Sequence, residues 1–83
     1  MSGTKKIIIV DDDDMLRETL VEQFSLHDEF AVSEAATATA GIKAIKADSV
    51  DLVILDVNLP DMDGREACKI IRRNGYKGPV ILL

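Results

Sequence analysis

Two short runs of consecutive apolar residues, each ending at an aspartate, constrain the fold more than any other feature of the chain. Residues 7–10 read Ile-Ile-Ile-Val and precede Asp11, and residues 52–55 read Leu-Val-Ile-Leu and precede Asp56. Continuous runs of this kind are typical of strands that are buried on both faces, as in a parallel sheet. The two runs therefore predict central parallel strands with acidic residues at their carboxyl ends.

The remaining segments predict helices that alternate with strands. Apolar residues at helical spacing predict a first helix over residues 14–26. The other expected elements are a weaker strand at residues 30–34, an Ala-rich helix capped by Thr37 and reaching residue 47, a helix at residues 63–73 with Glu66 completing a capping box, and a strand at residues 79–83. The order βαβαβαβ predicts an α/β fold, with a parallel sheet and helices on both of its faces.

Length and composition allow one domain at most, covering residues 1–83. The chain is 47% hydrophobic but holds only two Phe and one Tyr, so its core must be aliphatic, which favours α/β over a β-sandwich. The formal net charge of −5 argues against a nucleic-acid surface in these residues, because phosphate binding needs clustered Lys and Arg.

The cellular compartment is predicted from cysteine content and from hydropathy. A single cysteine, Cys68, cannot form an internal disulfide, which indicates a reducing compartment. The short polar start has no signal-peptide pattern, and no apolar run approaches the length of a membrane span. We expect a cytoplasmic protein without membrane contact.

Acidic residues at the ends of the two central strands predict a metal site. Ligands of open parallel sheets bind outside the carboxyl ends of the strands, where Asp11, Asp12 and Asp56 would meet. Crowded carboxylates repel one another, and a divalent cation offsets this repulsion. Mg²⁺ prefers such oxygen ligands and would also neutralise charge on a transferring phosphoryl group, with Asp56 as the nucleophile.

Residues 8–12, Ile-Ile-Val-Asp-Asp, and residues 52–64, Leu-Val-Ile-Leu-Asp-Val-Asn-Leu-Pro-Asp-Met-Asp-Gly, carry a specific resemblance. From residue 6 to its end, the chain resembles the receiver domain of bacterial two-component response regulators. The resemblance implies a flavodoxin-like (CheY-like) sheet with the strand order 2-1-3-4-5.

The resemblance also implies roles for individual residues. Asp56 matches the phosphoacceptor, Asp12 a direct Mg²⁺ ligand, Asp11 an acid that acts mainly through metal-bound water, and Asn58 a ligand through its backbone carbonyl. The side chain of Asn58 occupies a position that influences hydrolysis of the aspartyl phosphate in receivers. The two loop-shaping positions of the family are matched by Pro60 and Gly64.

The function implied by the resemblance is a phosphorylation-dependent signalling switch. A sensor histidine kinase would donate the phosphoryl group, and the domain would control an output such as transcription. The domain would not be an enzyme beyond assisting its own phosphorylation and dephosphorylation. DNA contact would require an output domain outside these residues.

Receivers also carry residues that this chain does not match. A Ser or Thr ends their fourth strand and a Lys ends their fifth; Leu83 stops one residue short of the expected hydroxyl, and Lys77 precedes the fourth strand. We therefore expect a receiver truncated after the fourth strand, which alone is phosphorylated poorly. An exposed fourth strand also predicts a homodimer or a strand-exchanged oligomer.

Several conspicuous residues have simpler interpretations. We expect Asp13 and Asp14 to be helix-cap or solvated residues, and Asp61 and Asp63 to belong to a turn and a helix cap. His27 and Cys68 are expected to be structural, the cysteine as a small buried apolar side chain.

Two rival functions are weaker. A Mg²⁺-dependent phosphohydrolase with an aspartyl-phosphate intermediate needs a second acid two residues after the nucleophile, and Asn58 occupies that position. A flavodoxin-like binding domain needs a hydroxyl-rich phosphate loop after the first strand, whereas the four aspartates at residues 11–14 would repel a flavin phosphate.

Overall fold

The computed structural model describes residues 3–83 and contains the seven predicted elements in the predicted order. The strands are β1 (Lys5–Val10), β2 (Phe30–Ala35), β3 (Leu52–Leu55) and β4 (Val80–Leu82), and the helices are α1 (Asp14–Ser25), α2 (Ala38–Ala47) and α3 (Gly64–Arg73). Their ends lie within two residues of the predicted ones. Within residues 3–83, no helix is long and apolar enough to cross a membrane.

The four strands form one parallel sheet in the order β2-β1-β3-β4. This order confirms the flavodoxin-like arrangement for the four strands present. Val10 is paired with Ala35 on one side and with Leu55 on the other, so β2, β1 and β3 end level with one another. The residues that follow β1 and β3 are therefore neighbours at the carboxyl edge of the sheet.

Apolar side chains from β1 and β3 form two cores, one on each face of the sheet. Ile8 and Val10 point towards α2 and α3, whereas Ile7 and Ile9 point towards α1. All four side chains are buried, which confirms the prediction of a strand enclosed on both faces. Burying each such side chain stabilises the fold by about 1.5–3 kcal/mol. Strand β1 therefore contributes strongly to both cores.

Helix α2 packs directly against β1 because Gly41 has no side chain. A Cβ atom at Gly41 would lie 2.7 Å from Cγ2 of Val10, which is too close for ordinary contact. The close approach also brings the first turn of α2 near the loop that follows β3.

Side-chain caps fix the first two helices at the carboxyl edge of the sheet. Asp13 caps α1 by accepting a hydrogen bond from the amide of Leu16 at 3.1 Å. Thr37 caps α2 by accepting one from the amide of Ala40, also at 3.1 Å, as predicted. Both caps satisfy backbone donors that a helix leaves free in its first turn.

The cap of α3 differs in part from the prediction. Asp63 caps this helix by accepting a hydrogen bond from the amide of Arg65 at 2.8 Å, as expected. The capping box predicted for Glu66 is wrong, because the Glu66 carboxylate instead accepts a hydrogen bond from Nζ of Lys69 at 3.3 Å. A lysine one turn further along the helix is an equally near partner for this exposed acid.

Strand β4 lies at one edge of the sheet, as its position in the strand order requires. The side chain of Ile81 is 48% exposed there, and Leu82 and Leu83 are also exposed. Self-association through this edge stays a prediction, and a monomeric mass at high protein concentration would contradict it.

Candidate functional site

Three carboxylates meet at the carboxyl edge of the sheet. Asp11 and Asp12 follow β1, Asp56 follows β3, and one carboxylate oxygen of each lies within 4.8 Å of the other two. Asp11 is only 2% exposed, Asp56 is half-buried and Asp12 is exposed. The cluster is therefore open to solvent through Asp12, and its position agrees with the one expected from the sequence.

The electrostatics of the cluster are most evident at Asp11. Burial is the main cause that raises the pKa of the Asp11 carboxyl, and the negative charges of Asp56, Asp12 and Asp13 raise it further. The amide of Asp13 donates a hydrogen bond to Oδ1 of Asp11 at 2.9 Å, which lowers the pKa in part. The ionised form of Asp11 is thus disfavoured, and a bound cation would relieve the repulsion.

We call residues 11–13 the acid loop. Its backbone is joined to the sheet where the amide of Asp11 donates to the carbonyl of Ala35 at 3.0 Å. The carbonyl of Asp11 accepts a hydrogen bond from Nη1 of Arg17 at 2.6 Å. The same guanidinium donates to Glu34 at 2.8 Å and to Asp14 at 2.6 Å. A side chain of α1 therefore connects the acid loop to the end of β2, a contact that sequence reasoning missed.

We call residues 56–63 the acceptor loop. The amide of Asp56 donates to the carbonyl of Val10 at 2.9 Å, which fixes the start of the loop beside the acid loop. The amide of Asn58 donates to Oδ1 of Asp56 at 3.2 Å, and an isolated antiparallel bridge joins Asn58 to Asp63. The acceptor loop thus folds back on itself within eight residues.

Gly64 closes the acceptor loop. Its amide donates to the carbonyl of Val57 at 2.7 Å. A Cβ atom at this position would overlap the backbone carbonyl oxygen of Asp56, so the loop can pass this close to the start of α3 only with glycine. The role of this glycine in shaping the loop for function stays a prediction.

Pro60 and Leu59, two further residues of the acceptor loop, differ in their burial. Pro60 is exposed, and its shaping role stays a prediction. Leu59, which sequence reasoning did not single out, is buried in the core together with Ala67 and Ile71 of α3. This side chain anchors the middle of the acceptor loop by burying apolar surface.

Asp61 links the acceptor loop to α2. Its carboxylate accepts hydrogen bonds from the amide of Ala38 at 2.9 Å, from the amide of Thr39 at 2.8 Å and from the Thr39 hydroxyl at 2.6 Å. The hydroxyl bond, followed by the two amide bonds, lowers the pKa of Asp61 to about 2. The expected turn-and-cap role is correct, but the helix that Asp61 caps is α2.

The other acidic residues near the site have structural contacts. Asp13 caps α1, and Asp14 pairs with Arg17, in agreement with the expectation for both. Asp63 caps α3, and the side chain and backbone amide of Arg65 lower its pKa to about 2. Cys68 is half-buried against the core.

Among the known proteins that the chain resembles, three illustrate the same family relationship. The protein PmrA of Pectobacterium parmentieri, named as a transcriptional regulatory protein, is 40% identical over 78 residues, which are 94% of this chain and 35% of PmrA. The chain therefore spans about a third of that relative. The N-terminal domain of an uncharacterized protein from Wolinella succinogenes is 31% identical, with a TM-score of 0.88 over 96% of this chain and 64% of that structure.

A third protein, the response regulator MaeR, has been solved bound to beryllium trifluoride. It is 27% identical, with a TM-score of 0.87 over 96% of this chain and 66% of that one. The family model of the response regulator receiver domain matches residues 7–83, which include both loops described above. The chain therefore belongs to the family of response regulator receiver domains.

Proposed function

We propose that Asp56 accepts a phosphoryl group from a sensor histidine kinase, next to Mg²⁺ held by the acidic cluster. The observation that carries this proposal is the convergence of Asp11, Asp12 and Asp56 to within 4.8 Å at the ends of two paired strands. Membership of the receiver family supports it, because receivers are the phosphorylated domains of two-component systems.

The residues fit a magnesium ion. Three carboxylate oxygens form a hard, oxygen-only donor set, and Mg²⁺ is commonly bound by one or two carboxylates, with waters and a phosphate oxygen completing its shell. Asp11, Asp12, Asp56 and the backbone carbonyl of Asn58 are the proposed protein ligands. Mg²⁺ bound there would neutralise part of the negative charge on the transferring phosphoryl oxygens.

The surroundings of Asp56 suit an acceptor. Its Oδ1 atom accepts the amide hydrogen of Asn58, so Oδ2 is the oxygen that would attack phosphorus. The new bond joins Oδ2 to phosphorus, the phosphorus–nitrogen bond of the kinase phosphohistidine breaks, and its electron pair stays on the imidazole nitrogen. Asp56 is half-buried and still accessible, whereas Asp11 is only 2% exposed and would serve to bind metal rather than to attack.

Two relatives support the wider role that we propose. MaeR binds beryllium trifluoride, whose shape and charge resemble those of a phosphoryl group. PmrA is named as a transcriptional regulatory protein, and we propose transcription as the output here also, in the cytoplasm. With a net charge of −5, these residues would leave DNA contact to another part of the protein.

The test is to supply the natural full-length protein with acetyl phosphate and increasing Mg²⁺, and to locate phosphate by mass spectrometry. We expect phosphate on Asp56 that requires Mg²⁺ and is lost in Asp56→Asn. Asp28→Asn is the matched control, because it makes the same chemical change at an exposed position before β2. Phosphate that persists in Asp56→Asn, or no phosphate on a folded protein that binds Mg²⁺, would overturn the proposal.

A further inference from the structure

We infer that Arg17 is a positioning residue of the metal site, holding the acid loop so that Asp11 and Asp12 face the metal. This inference rests on the proposed Mg²⁺ site and adds to it a residue of α1 that touches neither the metal nor the phosphoryl group. It follows from three hydrogen bonds, from the burial of the guanidinium and from the repulsion within the acidic cluster.

The guanidinium of Arg17 joins three elements that meet at the carboxyl edge of the sheet. Nη1 donates to the Asp11 carbonyl at 2.6 Å, Nε donates to Glu34 on β2 at 2.8 Å, and Nη2 donates to Asp14 in the first turn of α1 at 2.6 Å. The Arg17 side chain is only 12% exposed, although it is charged and lies on a helix whose own residues are all at least partly exposed. Each of the three guanidinium nitrogens of this partly enclosed arginine donates a hydrogen bond, so the side chain is held in place.

The contact with the acid loop is made to its backbone. Because the Asp11 carbonyl is held by Arg17 and the Asp11 amide by Ala35, the peptide groups on both sides of Asp11 have fixed orientations. The peptide that joins Asp11 to Asp12 sets the direction in which the Asp12 side chain leaves the backbone. Arg17 therefore acts on the positions of the carboxylates and does not pair with either of them.

Repulsion within the cluster explains why the acid loop needs the hydrogen bond from Arg17 to keep its position. One oxygen of each of the three carboxylates lies within 4.8 Å of the other two. Before a cation binds, the free energy of the protein would fall if these like charges moved apart. Asp12 is exposed and is the carboxylate that can move most easily. If the acid loop is free to move, its carboxylates must return to the binding geometry when Mg²⁺ binds. The free-energy cost of this rearrangement weakens the affinity for Mg²⁺.

The two roles that Arg17 could have predict opposite effects on metal affinity. If Arg17 acted through its charge alone, Arg17→Met would remove a cation near the site and bind Mg²⁺ more tightly. If Arg17 positions the loop, Arg17→Met binds Mg²⁺ more weakly, by roughly tenfold or more, as is typical when a group that orients metal ligands is lost. Arg17→Lys keeps the charge but lacks the planar fork that makes three bonds, so we expect an intermediate loss.

The experiment is calorimetric titration of Mg²⁺ into the full-length, unphosphorylated protein and its variants, with folding checked by circular dichroism. Arg73→Met is the matched control, because it makes the same change at the exposed end of α3, and its Kd for Mg²⁺ should equal that of the wild type. If Arg17→Met does not fold, Arg17→Lys alone decides, because a Kd above the wild-type value supports positioning.

A Kd equal to or below that of the wild type in the folded Arg17 variants would overturn the positioning role while leaving the metal site intact. Failure of the wild-type protein itself to bind Mg²⁺ would overturn the metal site, and the role of Arg17 with it. The two failures are therefore distinguishable in one titration series.

Discussion

The acid loop and the acceptor loop bring carboxylates to the same edge of the sheet, but different forces hold them there. The acid loop, residues 11–13, depends on a charged side chain that reaches over from α1. The acceptor loop, residues 56–63, depends on a backbone contact at Gly64, on the buried side chain of Leu59 and on its own internal bridge. The acid loop is held by an arginine from α1, whereas the acceptor loop is held by packing and by hydrogen bonds of its own residues.

The carboxylates of the two loops also contribute to folding with opposite signs. In the acid loop, burial and like charges raise the pKa of Asp11, so its ionised form opposes the fold at neutral pH. In the acceptor loop, three hydrogen bonds lower the pKa of Asp61 to about 2, so its ionised form favours the fold. A metal would thus relieve the unfavourable charge of Asp11, whereas the charge of Asp61 is already compensated by hydrogen bonds within the protein.

The largest effect expected from this comparison is that of Gly64→Ala. The added Cβ atom would overlap the Asp56 carbonyl oxygen and lie 2.8 Å from the Cα atom of Val57, and backbone atoms cannot move aside as a flexible side chain can. We expect the free energy of unfolding to fall by about 3 kcal/mol, as for severe overpacking. Chemical denaturation measures this loss, and Mg²⁺ titration should show weaker binding as Asp56 is displaced.

Gly75→Ala is the control for this prediction. Gly75 has a φ of +102°, so alanine is strained there by about 1–2 kcal/mol, but nothing lies within 4 Å of the added Cβ atom. It should lower stability without changing the affinity for Mg²⁺. Equal effects of the two substitutions on metal binding would show that the contact at Gly64 does not shape the acceptor loop.

A smaller effect, opposite in sign, is expected when the acid loop loses a charge. Asp12→Asn removes one of three carboxylates that lie within 4.8 Å of one another, so the metal-free protein should gain about 1 kcal/mol of stability. The same variant should bind Mg²⁺ more weakly. Denaturation with and without Mg²⁺ measures both effects, because a ligand that binds only the folded state stabilises it.

Asp28→Asn serves again as the control, since it removes an exposed carboxylate outside the cluster. If the free energy of unfolding of Asp12→Asn without metal is no higher than that of Asp28→Asn, then repulsion between the clustered carboxylates does not destabilise the metal-free protein. The contrast between the two loops would in that case be wrong.

The fold and the three clustered carboxylates were predictable because they follow from local patterns. The apolar runs at residues 7–10 and 52–55 indicate buried parallel strands, and parallel strands place their carboxyl ends together. Asp11 and Asp56, which end these runs, were therefore expected at the same edge of the sheet, and they are neighbours because β1 pairs with β3. The strand order was implied by resemblance to receivers and not by these patterns.

The contacts that hold the two loops were not predictable, because they join residues through side-chain geometry. Arg17 occupies a polar position of an amphipathic helix, and the sequence does not reveal that its guanidinium turns back to the Asp11 carbonyl. Asp61 lies 23 residues from Ala38, whose amide it binds. Thr39 could have served as a signal for this contact, since a hydroxyl in the first turn of a helix is well placed to bind a carboxylate.

The smallest expected effect, and the one most specific to the acceptor loop, is the pH dependence of Asp61→Asn. The pKa of Asp61 is lowered from 3.8 to about 2, so its carboxylate stabilises the fold above pH 4, and this stabilisation is lost as the pH falls from about 4 to 2. Asp61→Asn should therefore be less stable than the wild type at pH 7, and the difference should shrink across that window. Urea denaturation at several pH values tests this, with Asp28→Asn as the control. A constant difference between pH 7 and pH 2 would mean that the ionised carboxylate does not link the acceptor loop to α2.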